Sequence, residues 1–160
     1  MPHVVLLGDS IFDNAAYVSG GPDVTSQLRA TLPAGWEKVA PARASAISDP
    51  QTLLVIGTDG VRATDSECQV SSYRLPANGA VVVVIGWRAA VGNSGFLPLS
   101  GLKLRRGTFE CFAGRGAVAQ VTRRNRDFQI NVMVGDRASA ETIEDALAAA
   151  RSIAVVPRTA

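Results

Sequence analysis

Gly8-Asp9-Ser10 follows directly on the apolar run Val4-Val5-Leu6-Leu7. Four apolar residues ending in a glycine predict a buried strand that feeds a tight turn, with a serine hydroxyl presented at the strand's C-terminal end. In open α/β sheets that edge is where ligands bind. A serine there acts as a nucleophile when a base lies within hydrogen-bond reach and a carboxylate orients the base. The chain has a single histidine, His3, which opens the same strand. The intervening extended residues place it about 20 Å from Ser10, whereas proton transfer needs roughly 3 Å. Within one chain His3 cannot be the base. Ser–Lys pairs also exist in enzymes, but nothing in the spacing sets Lys38 or Lys103 apart from a solvated lysine. Gly-Asp-Ser also makes a good turn without any chemistry, because Asp and Ser side chains bond back to nearby amides.

The stretch HVVLLGDSIFDNAAYV, followed by GGPDVTSQLRATLPAGW, resembles the start of the SGNH (GDSL-type) hydrolases, α/β enzymes that cleave esters and related acyl groups. The resemblance covers residues 1–36. It implies that Ser10 holds the nucleophile's position and lends its own N–H to the oxyanion hole, while Asp9 shapes the turn. The family's C-terminal DxxH has no counterpart here, since His3 is the one histidine. No GxND block follows residue 36 either, and Gly92-Asn93 lacks the aspartate. Ser10 is thus a nucleophile's seat without a proton acceptor.

The elements that would position this serine begin with a strand and a loop broken at Gly20-Gly21-Pro22. Asp23 can cap a helix over Val24–Thr31, which Leu32-Pro33-Ala34-Gly35 would end. Residues 37–51 are rich in Ala, Pro and Ser without periodicity and read as a linker. From residue 52 to 160 the pattern is β-rich. Strands are predicted over Leu53–Ile56, Cys68–Leu75, Ala80–Trp87, Thr108–Phe112, Ala117–Thr122 and Phe128–Val134. Ala80–Trp87 reads as a central strand buried on both faces. Phe128–Val134 reads as half-buried, with Gln129 and Asn131 on its polar side. Gly114-Arg115-Gly116 reads as a loop. Ser139 is placed to cap a closing helix over about Ala140–Ile153, with Ile143, Ala146, Leu147, Ala150 and Ile153 on one face. The expected fold class is α+β. It is a mostly antiparallel sheet with a C-terminal helix packed on it, plus an N-terminal strand-loop-helix segment of α/β-hydrolase type.

Composition narrows the function classes. A net charge of +2 and 19% charged residues give no reason to expect nucleic acid, and no apolar run reaches the length of a membrane span. No signal peptide is legible at the N-terminus, where Asp9 and Asp13 interrupt the apolar run. No cofactor motif is present. Cys68 and Cys111 are too few and too far apart for a zinc site, and read either as a disulfide or as two buried thiols. Arginines gather in the last third, and Arg123, Arg124 and Arg126 could contact an anion, although a solvated basic rim has the same pattern. Partners are otherwise not legible, beyond a homo-oligomer that an exposed sheet edge would allow.

The stretches YRLPANGAVVVVIGW, GTFECFAGRGAVAQV and FQINVMVGDRASAETIEDALAAARSI resemble uncharacterised domains of exported proteins from high-GC bacteria. That resemblance brings no activity, but implies a Cys68–Cys111 disulfide and an extracytoplasmic origin for the β-rich part. Together the two resemblances imply two parent proteins joined near residues 37–51. The function expected is a non-catalytic α+β binding or structural module carrying a truncated hydrolase N-terminus. The alternative is an SGNH-type ester hydrolase with Ser10 as nucleophile and an unidentified base.

Overall fold

The computed structural model describes residues 3–7, 26–42, 50–66, 68–87, 98–109, 112–123 and 126–157. In chain order the elements are β1 (His3–Leu7), β2 (Ser26–Leu32), β3 (Trp36–Lys38), β4 (Gln51–Thr58), β5 (Arg62–Ala63), β6 (Tyr73–Arg74), β7 (Ala80–Gly86), β8 (Arg105–Phe109), β9 (Phe112–Arg123), β10 (Arg126–Val134), α1 (Ala140–Arg151) and β11 (Ala154–Pro157). Six strands form one sheet in the order β3-β4-β7-β10-β9-β8, and every neighbouring pair is antiparallel. A smaller antiparallel sheet has the order β1-β2-β11. The expected architecture, a mostly antiparallel sheet with a C-terminal helix packed on it, is found.

The centre of the large sheet is β7, whose AVVVVIG sequence is buried at every position, as its unbroken apolar run predicts. Such a strand needs a cover on each side. On one face Val82, Val84, Ile130 and Val132 pack with Ala146, Ala149 and Ala150 of α1 in one apolar cluster. Small side chains let the helix lie close against the sheet. Ser139 caps the helix as the sequence predicts, its Oγ accepting the Thr142 N–H at 3.0 Å. At the far end the Arg151 guanidinium donates to the Leu102 carbonyl at 2.9 Å. On the other face Val55, Val81, Val83 and Met133 pack with Val61, Val70 and Tyr73. These last three come from the β5–β6 excursion, which thereby lids that face.

Several local expectations are corrected. Val24–Thr31 is not helical where it is described, because Ser26–Leu32 is β2. As a helix it would bury one modest apolar face. As a strand it places Leu28 and Ala30 in the core shared with α1, and β1 and β11 pair with its backbone on either side. Cys68–Leu75 is a 3-10 turn at Gln69–Ser71 followed by the two-residue β6, not one strand. Gly114-Arg115-Gly116 lies inside β9, opposite Gly107, Arg106 and Arg105 of β8. The polar side of β10 is not solvated: Gln129 and Asn131 are each 1% exposed. Of the stretch read as a linker, residues 37–42 and 50–51 are described. Within it Glu37 and Lys38 pair with Gly57 and Ile56, and Val39 N–H donates to the Val55 carbonyl at 2.9 Å.

The approach to α1 is set by a close backbone crossing. Gly135 N–H donates to the Gly79 carbonyl at 2.8 Å, and Arg137 N–H donates to the Ala77 carbonyl at 2.7 Å. A β-carbon at Gly135 would stand 2.3 Å from the Ala77 carbonyl oxygen and 2.4 Å from that of Pro76. Both obstacles are backbone and cannot rotate away. Gly135→Ala should therefore lower stability by about 1–3 kcal/mol, the range for forced overpacking. Urea unfolding checks this; an unchanged midpoint would show that the 76–79 turn yields without cost.

Candidate functional site

Between β2 and β3 the chain turns through Pro33-Ala34-Gly35, closed by Trp36 N–H donating to the Pro33 carbonyl at 3.2 Å. Gly35 has φ of 76°, a left-handed conformation that glycine adopts without a side-chain clash. This turn stands away from α1 and leaves a groove of about 910 Å3. One wall is Thr31–Trp36; the other is Asp145, Ala148, Ala149 and Ser152, one stripe of the helix and its C-cap. Trp36 and Ala149 are buried beneath it, while Thr31, Ala34, Gly35 and Ala148 are exposed along it.

The two walls are fastened at their base. Ser152 Oγ donates to the Ala149 carbonyl at 2.7 Å and accepts the Thr31 N–H at 2.8 Å. Both bonds hold this hydroxyl in a structural role. Among the described residues Asp145 is the one ionisable group in the lining, and it is half-buried. What the groove can do chemically is bind: it offers an apolar floor, an indole and one carboxylate.

A second concentration of polar groups lies on the lidded face of the sheet. Thr52 of β4, Ile85 of β7, Gln129 of β10 and Gln120 of β9 are opposite one another in a single cross-sheet row. Asn131 is one pair further along, and Gln129 Nε2 donates to Asn131 Oδ1 at 3.1 Å. In the adjoining row Thr122 Oγ1 donates to Asp127 Oδ1. Among the described residues Thr52 Oγ1, Gln120 Oε1 and Asn131 Nδ2 are buried without a hydrogen-bond partner. Tyr73 closes the row beside Thr52. Its phenol oxygen accepts the Ala42 N–H at 3.2 Å, and the residue is 5% exposed. Burial raises its pKa above the ordinary phenol value, against the lowering effects of the Ala42 N–H and of the nearby Thr52 hydroxyl. The Thr52 hydroxyl approaches the phenol without reaching hydrogen-bond geometry.

The residues singled out from sequence are dispersed. Ser10 and Asp9 lie outside the described residues, as do Cys111 and Arg124. His3 opens β1 opposite Leu32 of β2. Cys68 precedes the 3-10 turn; its carbonyl accepts from the Ser72 hydroxyl at 2.8 Å, and it is not a free thiol. Arg123 ends β9 in register with Arg126. The Arg126 Nε donates to the Trp87 carbonyl at 3.0 Å, and its guanidinium lies 5.8 Å from the centre of the Phe128 ring. Arg126 thus holds the Trp87 backbone at the end of β7. Sequence reasoning missed the groove, since Trp36 and Asp145 are 109 positions apart and only the docking of β2 on α1 joins their neighbourhoods.

Two outcomes are expected. Ser152→Ala should cost about 0.5–1.5 kcal/mol in urea unfolding, because it frees the Thr31 amide as well as the helix end. An unchanged midpoint would mean that water replaces both bonds. Tyr73 gives a pH signature. Its folded pKa is raised, so its contribution to stability is whole below about pH 10, where the unfolded chain's phenol is still neutral. That contribution falls as the pH rises beyond it. Tyr73→Phe should flatten the loss of stability above pH 10; equal slopes in both proteins would show that another group causes it.

No protein-family model, no curated protein and no solved structure matches this chain.

Proposed function

We propose that the chain is a non-catalytic α+β binding module, carrying a truncated SGNH-hydrolase-like segment at residues 1–36, with the groove between the β2–β3 turn and α1 as its ligand site. The observation that carries this reading is the groove itself, an open cleft of about 910 Å3 with an apolar floor and few polar groups, which is the usual composition of a small-molecule site. Among the described residues its lining has no imidazole, thiol or amine. The Ser152 hydroxyl in it is held by the Thr31 amide and the Ala149 carbonyl. Further support comes from the position of His3, the chain's one imidazole, at the start of β1, whereas Ser10 follows the end of that strand. The β-rich part belongs to an exported protein in this reading, with Cys68 bridged to Cys111, the other cysteine in the sequence.

A short-chain p-nitrophenyl ester assay on wild type and Ser10→Ala is the test. The two proteins should hydrolyse the ester at the same background rate. Turnover that disappears in Ser10→Ala would replace the binding module with an SGNH-type ester hydrolase in which Ser10 is the nucleophile and Asp9 shapes its turn. The bridge has its own readout: denatured, unreduced protein should bind no thiol reagent, and two equivalents should bind after reduction.

A further inference from the structure

We infer that the groove recognises a small apolar organic cation, an aliphatic or aromatic body bearing one ammonium group; this rests on the groove being the ligand site. The charge distribution is the argument. Among the described residues that line the groove Asp145 is the one ionisable group, and no cation opposes it. On the same helix Glu141 and Glu144 are exposed, so no basic side chain precedes Asp145 on α1. Arg151, the single basic residue of α1, is turned to the Leu102 carbonyl. Among the described residues the carboxylate therefore has no cation in the lining to neutralise it. The apolar remainder of the lining, Leu32, Pro33, Ala34, Ala148 and Ala149, suits the hydrocarbon body.

The base of the groove is preorganised for such a ligand. The Ser152 hydroxyl ties the Thr31 backbone to the helix end at 2.8 Å, which fixes the spacing of the two walls. The closed Pro33–Trp36 turn fixes the outer wall. A ligand entering here meets two walls already in place, and little ordering cost is set against its binding.

Three isosteric probes separate the contributions: 4-phenylbutylammonium, 4-phenylbutanol and 4-phenylbutyrate, titrated into the full chain and followed by amide chemical shifts. The shifts should be confined to residues 31–36 and 145–152. The ammonium should bind roughly threefold to fivefold more tightly than the alcohol, with the carboxylate weakest, as expected for a partly exposed charge pair. Asp145→Asn should bring the ammonium and the alcohol to equal affinity. Added salt should weaken the ammonium alone. Equal binding of all three probes by wild type, or an ammonium preference that survives in Asp145→Asn, overturns the inference about charge and leaves the groove as a site. No saturable shift with any probe overturns both. Ser10-dependent ester turnover would overturn only the non-catalytic reading, since it moves none of these affinities.

Discussion

Burial of β7 on both faces is the constraint from which the rest of the structure follows. Five consecutive β-branched residues, Val81–Ile85, are each no more than 2% exposed. A strand of that kind has no polar side to offer water, so the chain must supply two covers. It does so by different means. The side facing Val82 and Val84 is covered by a helix whose alanines allow close approach. The side facing Val81 and Val83 is covered by a short irregular excursion, residues 59–75, anchored by Val61, Val70 and Tyr73.

The two covers differ in consequence. A helix is a straight rod on a twisted sheet and leaves space along its flank. In this protein β2 occupies part of that space through Leu28 and Ala30, and what remains beside the β2–β3 turn is the groove. The excursion, by contrast, covers Val55, Val81, Val83 and Met133, and the same face of the sheet buries Thr52, Gln129 and Asn131. Buried polar groups of this kind hold a sheet to one register, because a slip by one residue would carry them to the apolar face. The helix side therefore keeps an open groove, and the lidded side offers rigidity.

The N-terminal segment shows how tertiary pairing overrides local preference. Asp23 followed by Val24, Leu28 and Thr31 is a fair helix signal, yet Ser26–Leu32 is a strand with neighbours on both sides. The helical alternative would bury few apolar groups of its own. The strand gains Leu28 and Ala30 in an existing core, and its last amides reach the helix end through Ser152. β11, which pairs with β2 after α1, carries no strong signal of its own and needs that partner to exist.

Local pattern alone determined much of this protein: the buried central strand at Val81–Ile85 and the apolar stripe and Ser139 cap of α1. Each is legible because the forces that fix it act within one element, through side-chain spacing or a cap three residues away. Tertiary structure alone decided that β10 would hide Gln129 and Asn131, since the burial of a strand's polar side depends on what lies above it. It alone decided that Ser26–Leu32 would be a strand, and that Trp36 and Asp145 would face one groove. Those outcomes arise from contacts between distant parts of the chain, and residue spacing carries no record of them.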